Sequence, residues 1–507
     1  MTWLWESIAL GLGESLTLTN LTYCLLGVAM GQAIGTLPGI GTLVAVSLLL
    51  PFTYHLDLFP SLLMIAGIYY GTAYGGSIAA ILLKVPGQPS SAVVCLDGYQ
   101  MTQQGRAGVA LFMTTIASFF GASVGIILMM LFSPLIAENA LNFGPWEYFA
   151  VMTLGLVSAS TIGSDNPIKG IAMVVVGLFF GTIGLDIHSG AERFAFGYMS
   201  LYDGISLVPL VMGLFAVPEI IFSIRTIKES SLATKKISLS SMIPSRDELR
   251  RSWMPMTRGT LIGSFFGALP GTGALVASFM AYATEKRLAR DPSRFGRGAI
   301  EGVVSPEASN NAADQTAFIP TMTLGIPGSV TMAIIIGVML AKGVTPGPTL
   351  MTDKPELFWG LIMSFWIGNV ILVVLNIPLI GLWVNLLLVP YRMLYPIILV
   401  FVCAGAFLVQ GSDVDVLQVG FFAALGCAMR WAGLPAAPLV LGYILGPMME
   451  VQMRRALVLS RGDFMPFVDR PLSATFLFAT VALLAWSAYA AMRARSRRRL
   501  SEVAAGE

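Results

Sequence analysis

The sequence predicts an all-α polytopic membrane protein, with about twelve apolar segments in two inverted repeats that contain re-entrant helical hairpins and broken helices. Three observations support this fold class. Hydrophobic residues make up 56% of the 507-residue chain and charged residues only 11%, against about 25% charged residues in soluble domains. A motif rich in glycine and proline occurs twice within apolar sequence. The basic residues are concentrated in a few polar segments.

The repeated motif is GTLPGIGTLVA at residues 35–45 and GALPGTGALVA at residues 267–277. Its prolines, Pro38 and Pro270, lie 270 − 38 = 232 residues apart. Proline removes a backbone donor and glycine leaves the backbone open, so an apolar helix is expected to break at each copy. Breaks at matching places in two halves indicate a transporter binding site. The alternative is that the glycines allow membrane helices to pack closely.

Two further matches extend the duplication over each half. PLVMG at residues 209–213 corresponds to PLVLG at residues 438–442, an offset of 438 − 209 = 229. VPG at residues 85–87 corresponds to IPG at residues 326–328, an offset of 326 − 85 = 241. We therefore expect these divisions: a first transmembrane repeat over residues 1–224, a cytoplasmic basic linker over 225–258, a second repeat over 259–450, and a C-terminal loop, last helix and basic tail over 451–507.

Apolar segments of membrane-spanning composition recur along both halves, although some are too short for the roughly 20 residues of a full crossing. They lie near residues 8–30, 34–54, 58–83, 107–136, 146–163, 168–187, 205–224, 259–283, 314–341, 357–389, 393–410, 416–449 and 472–492.

The placement of charge predicts the orientation in the membrane. The first basic residue in the chain is Lys84, so the N-terminus is expected outside the cytoplasm. The linker 225–258 and the C-terminal tail are rich in lysine or arginine and are expected inside. The first half then crosses the membrane an odd number of times. The second half therefore begins on the opposite side of the membrane and is inverted relative to the first. Residues 450–471 conflict with this scheme, because they contain four arginines and would lie outside.

The second motif is flanked by basic sequence on both sides. If both flanks are cytoplasmic, residues 259–283 enter the membrane and return as a helical hairpin with residues 267–273 at the tip. By the repeat, residues near 21–54 would form a second hairpin from the other side. The alternative is one full span with a kink at the motif.

The two hairpin tips are the first candidate site. Tips that meet at the midplane would present helix N-termini, whose free N–H groups and partial positive charge suit carboxylates. Glycines would let a ligand approach the backbone, and threonines would add hydroxyl groups. The candidate contacts are Gly35, Thr36, Pro38, Gly39, Gly41, Thr42, Gly267, Pro270, Gly271, Thr272 and Gly273.

Two polar runs beside apolar sequence are further candidates. SPEASNNA at residues 305–312 contains Asn310 and Asn311, whose amides can bind a carboxylate through N–H or a cation through C=O. Alternatively, Ser305 followed by Pro306 forms a helix N-cap. KVPGQPSS at residues 84–91 begins with Lys84, which either snorkels to the membrane interface or contacts the substrate.

Three long motifs resemble the large membrane subunit of the tripartite tricarboxylate transporters, the TctA family. They are GTLPGIG, YGGSIAAILLKVPGQPSSAVVCLDGYQMTQQGRAG and SPEASNNAADQTAFIPTMTLGIPGS, in this order, and the resemblance runs from about residue 15 to residue 450. It implies a multi-pass permease of the bacterial inner membrane that imports citrate or other carboxylates on an ion gradient. It also implies two partners, a small four-helix membrane subunit similar to TctB and a periplasmic solute-binding protein similar to TctC.

The resemblance extends the expected site to the loops around the two Pro-Gly pairs. Sodium is the first expectation for the coupling ion, near Gly39, Gly271 and Asn310, and a proton is the second; no other cofactor is expected. The family usually has Asn before the first Pro-Gly, in a segment like LLNTPG, where this chain has Lys84. The added candidate contacts are Pro86, Gly87, Gln88, Ser90, Pro327, Gly328 and Ser329.

Two other functional classes compete with a secondary transporter. A membrane-embedded enzyme would need a cluster of ionisable or metal-binding residues, and the chain has only two histidines and no HExxH, P-loop or Walker-type motif. A channel that works without a binding protein is the other alternative, and the inverted repeat with broken helices argues against it.

Overall fold

The computed structural model describes residues 2–162, 166–186, 188–226, 239–270, 273–387, 389 and 391–505. In the first half the helices are α1 Thr2–Ser15, α2 Leu18–Thr36, α3 Thr42–Tyr54, α4 Leu58–Leu83, α5 Val94–Gln103, α6 Ala107–Ala140, α7 Pro145–Ile162, α8 Pro167–Gly181, α9 Leu207–Val211 and α10 Val217–Thr226. A π-helical turn, Met212–Ala216, joins α9 to α10, and strands β1 Gly184–Leu185 and β2 Glu192–Arg193 form a small antiparallel hairpin.

In the second half the helices are α11 Arg246–Ala268, α12 Gly273–Leu288, α13 Glu301–Thr316, α14 Phe318–Leu324, α15 Val330–Ala341, α16 Leu350–Asp353, α17 Pro355–Asn376, α18 Ile380–Leu386, α19 Tyr391–Gln410, α20 Asp413–Ala432, α21 Ala436–Leu459, α22 Pro466–Asp469 and α23 Pro471–Ala505. Short 3₁₀ turns lie at Pro89–Ala92, Met199–Leu201, Leu239–Met242 and Pro292–Arg294.

Six of the described helices are long and apolar enough to cross a membrane, namely α4, α6, α17, α20 and parts of α19 and α23. Four shorter apolar segments lie in α3, α8, α15 and the α9–α10 unit. The chain is thus a helical, multi-pass membrane protein. Some predicted apolar segments are two helices: residues 8–30 are divided between α1 and α2, and residues 357–389 are interrupted near Pro378, which cannot donate a backbone hydrogen bond.

Helices α2 and α4 pack closely and in parallel through a stripe of glycines. A Cβ added to Gly27, Gly31 or Gly35 would lie 2.9, 2.7 or 2.6 Å from the Cα of Met64, Ile68 or Thr72 respectively. Residues spaced four apart on α2 therefore contact residues spaced four apart on α4 in the same chain order, so the two helices run parallel. Because α2 ends at Thr36, beside Thr72, the break after it lies midway along the 26-residue α4.

Helices α11 and α13 repeat this packing in the second half. A Cβ added to Gly263 or Gly267 would lie 2.7 or 2.5 Å from the Cα of Ser309 or Ala313, and Gly259 abuts the backbone of Ser305. The glycine offset is 263 − 31 = 232 and the offset of the facing residues is 309 − 68 = 241. These are the two offsets found in the sequence, so both the glycine stripe and its partner helix are duplicated.

The later helices of each half pack against the other half. Gly442 of α21 packs on Val174 of α8, and Gly213 packs on Val419 of α20. The offsets here are 442 − 213 = 229 and 419 − 174 = 245. The two halves are therefore joined by two equivalent contacts, and in each contact the glycine belongs to one half and the facing residue to the other.

One end of the protein, which we call the basic end, comprises residues 96–106, 239–258 and 286–301. Arg106 forms an ion pair with Glu248, Arg251 lies 2.9 Å from Glu301, and Gln104 donates a hydrogen bond to the Arg297 carbonyl at 2.8 Å. These contacts tie the three segments together, two of which are rich in arginine or lysine, as expected if all three lie on one side of the membrane.

The opposite end comprises residues 141–147, 182–206 and 450–471. Arg454 lies 2.7 Å from Asp186, and Arg470 lies 2.5 Å from Glu147. Two of the arginines that conflict with the predicted orientation are therefore neutralised by carboxylates, one in the loop after α8 and one in the first turn of α7. Helix α6 runs from the basic end to the opposite end.

The second motif forms a hairpin, and the alternative of a single kinked span is wrong. Arg258 of α11 lies 2.7 Å from Glu285 of α12, so the two helices are antiparallel and both have their outer ends at the basic end. The turn contains Leu269 and Pro270, while Gly271 and Thr272 lie outside the described residues. The predicted linker is partly helical, because α11 begins at Arg246, inside it; the domain boundaries stay predictions.

Candidate functional site

The first break connects α2 to α3 through residues 37–41. Gly39 has φ 79°, a left-handed conformation that glycine adopts without steric cost, and its N–H donates to the Pro86 carbonyl at 3.4 Å. Gly41 caps α3 without a side-chain hydrogen bond to the helix N-terminus. The break therefore places an uncapped helix N-terminus midway along α4.

The loop after α4 packs against this break. Gly87 donates its N–H to the Gly76 carbonyl at 3.2 Å, and a Cβ at Gly87 would lie 2.5 Å from the Gly35 carbonyl oxygen. Thr42 Oγ1, at the start of α3, donates to Gln88 Oε1 at 2.6 Å. Six predicted contacts, Gly39, Gly41, Thr42, Pro86, Gly87 and Gln88, are thus brought together from two separate segments.

The equivalent loop of the second half follows α14. Gly325 ends α14 in a left-handed conformation with φ 69°, as Lys84 ends α4 with φ 60°. The Gly328 N–H lies 3.4 Å from Thr321 Oγ1, and Ser329 caps α15 by accepting from the Met332 N–H at 3.3 Å. At the second break, Gly273 starts α12 with φ 60°.

Helix α13 turns a polar face toward the first half. Glu307, Asn310, Asn311 and Asp314 have the i, i+3, i+4, i+7 spacing of one helix face, and all are buried. Ser77 Oγ of α4 lies 2.8 Å from both carboxylate oxygens of Glu307. Asn311 Nδ2 donates to Ser118 Oγ of α6 at 2.8 Å and to Glu307 Oε1 at 3.3 Å.

The second carboxylate of this face is held by the other half as well. Tyr69 OH of α4 donates to Asp314 Oδ1 at 2.7 Å. Within the described part of the chain, no ion pair within 4.0 Å joins a basic side chain to Glu307 or Asp314. Two acidic groups are therefore buried with neutral partners only.

Asn310 on the polar face of α13 and Gln88 in the loop after α4 are buried amides that lack partners. Asn310 is 1% exposed, and neither its Oδ1 nor its Nδ2 forms a hydrogen bond within the described residues. Gln88 is 7% exposed, and its Nε2 is likewise unpartnered there. A buried amide without a partner is destabilising by about 1–3 kcal/mol, so such groups indicate a place for a ligand.

Other predicted contacts have structural partners in this conformation. Gly35 and Gly267 lie in the helix–helix contacts described above, and Thr36 Oγ1 donates to the Gln32 carbonyl of its own helix at 2.7 Å. Lys84 is exposed, with its amine 5.8 Å above the Tyr99 ring. Their roles in substrate binding stay predictions, as do those of Pro38, Ser90, Pro270 and Pro327.

Ser305 does not cap a helix, so that alternative is wrong. Helix α13 begins at Glu301, which places Ser305 and Pro306 in its second turn. Glu307, Asp314 and their partners Tyr69, Ser77 and Ser118 were not among the site residues predicted from the sequence. The helical spacing of the polar residues after Pro306 was the available indication; the partners lie on helices distant in sequence.

Comparison with known proteins supports the resemblance of the motifs. The family model described as "Tripartite tricarboxylate transporter TctA family" matches residues 21–441. A protein of Agrobacterium vitis, "Uncharacterized 52.8 kDa protein in TAR-I ttuC' 3'region", is 45% identical over 477 residues, 94% of this chain and 95% of that protein. A second, "Uncharacterized protein in TAR-II ttuC' 3'region", is 50% identical over 215 residues, 42% of this chain and 89% of that protein. No solved structure matches the chain.

Proposed function

Because the chain belongs to the tripartite tricarboxylate transporter TctA family, we propose that it is the large membrane subunit of a binding-protein-dependent secondary transporter. It imports carboxylates, either citrate-like tricarboxylates or related organic acids, and an ion gradient drives the import. It works in the bacterial inner membrane with a small four-helix membrane subunit and a periplasmic solute-binding protein.

The observation that carries this proposal is two unpartnered buried amides, Asn310 on the polar face of α13 and Gln88 beside the first helix break. The Nδ2 and Nε2 groups are hydrogen-bond donors that a carboxylate oxygen satisfies. The uncapped N-terminus of α3, next to Gln88, adds backbone N–H groups and a partial positive charge. Neutral donors of this kind bind an anion without a fixed positive charge and so leave it free to dissociate on the other side.

The positions of the two breaks support an inverted repeat. Helix α2 runs parallel to α4 and ends midway along it, and α3 then returns to the level where α4 begins, away from the basic end. Helix α11 runs parallel to α13 from the basic end, and α12 returns there. The two hairpins thus come from opposite ends, as expected for inverted repeats around a midplane site.

Reconstitution of the complete system tests the proposal. We expect uptake of a labelled carboxylate into proteoliposomes to require this chain, its small membrane subunit, the binding protein and an ion gradient. Full-rate, high-affinity uptake by this chain alone would contradict the dependence on a binding protein.

Replacing Gln88 by Ala should lower the affinity of the complex for the carboxylate about 5- to 150-fold, the loss expected for one buried donor. An unchanged affinity would remove Gln88 from the site.

A further inference from the structure

Helix α3 of the first hairpin is covered by helices that lie late in each half. A Cβ added to Gly405 of α19 would lie 2.8 Å from Pro51 Cγ, and the ring centroids of Phe52 and Phe401 lie 6.2 Å apart. Helix α3 also packs on α9 and on the π-helical turn Met212–Ala216. The first hairpin is therefore held along one side by α9, α19 and the turn.

Helix α15 continues this covered surface. A Cβ added to Gly337 would lie 2.6 Å from Leu207 Cδ2 of α9 and 3.7 Å from Ile444 Cδ1 of α21. Away from the basic end, Lys342 Nζ donates a hydrogen bond to the Tyr54 carbonyl at 2.8 Å and so joins the end of α15 to the end of α3. We call the surface that α3 and α15 present to α9, α19 and α21 the covered face.

The duplicated counterparts of α3 and α15 leave the equivalent surface exposed. Helix α12 corresponds to α3 at the offset of 232, and the start of α5 corresponds to α15 at the offset of 241. Phe279 and Met280 of α12 are 46% and 44% exposed, whereas their counterparts Ser47 and Leu48 are 0% and 8% exposed. Leu96 of α5 is 44% exposed. We call the surface that contains Leu96, Phe279 and Met280 the exposed face.

A buried carboxylate joins α5 to α12 beside this face. Tyr282 OH of α12 donates to Asp97 Oδ2 at 2.9 Å, and the N–H groups of Gly296, Gly298 and Ala299 donate to Asp97 Oδ1 at 2.8–2.9 Å. This link on the basic side corresponds in position to the Lys342 link on the other side. The exposed face is therefore one unit, as the covered face is.

We propose that the exposed face is a docking surface for α7 and α21 of this same chain, which it contacts in a second conformation. Helix α7 is the counterpart of α19, because each precedes one member of the α8 and α20 pair, and α21 is the counterpart of the α9–α10 unit. In that conformation α3 and α15 release α9, α19 and α21. The docking surface deepens the proposed function and rests on it, since it identifies the surfaces that exchange during transport.

The duplication gives a physical reason for two conformations. Each half contains the same two kinds of surface, so docking of the exposed face replaces one apolar contact by an equivalent one. The two arrangements then differ little in free energy, and both are populated. In the described structure the face toward the opposite end is covered and the face toward the basic end is exposed; the second conformation reverses this, as inverted repeats allow.

The test is a cross-link that only the second conformation permits. Gly337 contacts Leu207 in the described structure, and their counterparts are Leu96, from 337 − 241 = 96, and Ala436, from 207 + 229 = 436. The pair Leu96→Cys/Ala436→Cys is introduced into a transport-competent chain whose four native cysteines are replaced by alanine. The complete complex in membranes is then treated with a short bifunctional thiol reagent that can be reduced.

The pair Phe52→Cys/Phe401→Cys is the control for the described conformation. We expect both pairs to cross-link and each cross-link to abolish uptake until it is reduced. Absence of the Leu96–Ala436 cross-link, under conditions that join Phe52 to Phe401, would overturn the docking and would mean that lipid or the small membrane subunit covers the exposed face permanently. A Leu96–Ala436 cross-link that leaves uptake unchanged would overturn the exchange.

Chemical modification gives a second readout. A bulky maleimide on Leu96→Cys should abolish uptake by the complete complex, because the added group prevents docking. Leu249→Cys is the matched control: Leu249 of α11 is 47% exposed at the same end of the protein, and its modification should leave uptake unchanged. Normal uptake after modification at Leu96→Cys would contradict the docking surface.

These measurements separate the docking surface from the proposed function. Formation of the cross-links requires no substrate, so it reports the second conformation whatever the chain carries. Carboxylate uptake by the complete wild-type system without the Leu96–Ala436 cross-link would overturn the docking surface alone. Failure of that system to take up any carboxylate would contradict the proposed function, even if both cross-links form.

Discussion

The α2–α4 pair and the α11–α13 pair have the same packing but different chemistry. In both, a glycine stripe on the first helix lies against the backbone of a parallel second helix, at offsets of 232 and 241 residues. The second helices differ on the face that turns toward the centre. At the 241-residue offset, Glu307, Asn310, Asn311 and Asp314 of α13 correspond to Ala66, Tyr69, Tyr70 and Ala73 of α4.

This difference teaches that the duplication preserved the scaffold while the polar groups were concentrated in one half. The first half contributes partners to that face, through Tyr69, Ser77 and Ser118, rather than a second copy of it. We therefore expect substitutions at corresponding glycines of the two stripes to destabilise the protein equally. Substitutions on the polar face of α13 should affect transport, whereas those at the corresponding positions of α4 should not have the same effect.

The largest expected effect is overpacking of either stripe. Gly31→Val and Gly263→Val each place side-chain atoms against the backbone of the facing helix, at Ile68 and at Ser309. Each should destabilise the protein by about 1–3 kcal/mol or more, measured as a lower melting temperature and loss of monodispersity. Gly13→Val is the control, because no atom lies within 4 Å of a Cβ there. Normal stability of one of the two stripe variants would show that the packing is not equivalent.

A smaller effect, confined to function, is expected on the polar face. Asn310→Ala removes an unpartnered amide, so it should lower substrate affinity about 5- to 150-fold without lowering stability. Asn369 is the matched control: it accepts from Tyr74 OH at 2.7 Å and donates to Ser123 Oγ at 3.1 Å. Asn369→Ala should lower stability instead. Uptake curves and melting temperatures for both variants distinguish the two roles, and the reverse pattern would contradict them.

The scaffold was largely predictable from the sequence, whereas the polar face was not. The two Pro-Gly breaks and the offsets of 232 and 241 follow from local sequence, since glycine and proline act on the backbone where they stand. The contacts of Glu307 with Ser77 and of Asp314 with Tyr69 join residues more than 200 positions apart. Only the folded packing of α13 against α4 determines that these side chains meet, so no spacing rule identifies them.

The contact between the two halves at the opposite end has a pH dependence. The backbone N–H groups of His188 and Ser189, and the Arg454 guanidinium, hold the pKa of Asp186 well below its usual range. A lowered pKa contributes stability that is present at neutral pH and lost as the pH falls below the ordinary pKa of about 4 toward the folded value. Asp186→Asn should therefore lower the melting temperature at pH 7.

The same variant should approach the wild-type melting temperature in acid, since the wild-type carboxylate then loses its advantage. Asp203→Asn, in an exposed position of the same loop region, is the control and should change little at either pH. A difference between Asp186→Asn and wild type that does not shrink in acid would show that the ionised carboxylate of Asp186 does not stabilise the fold.

The smallest expected effect concerns the two matched helix ends, Lys84 and Gly325. Both residues are left-handed, a conformation that glycine and asparagine adopt more readily than lysine. Lys84→Asn should stabilise the protein by about 1 kcal/mol and change transport little if the amine only covers the Tyr99 ring. Gly325→Ala should destabilise it, because a Cβ would lie 2.8 Å from the Pro346 carbonyl. A change of carboxylate selectivity in Lys84→Asn would show instead that Lys84 contacts the substrate.

The most direct test of the unequal halves is an electron cryo-microscopy structure of the complete transporter with a bound carboxylate. We expect ligand density within hydrogen-bond distance of Asn310 Nδ2 and Gln88 Nε2, beside the N-terminus of α3 and against the polar face of α13. Ligand density elsewhere, with both amides still unpartnered, would contradict it.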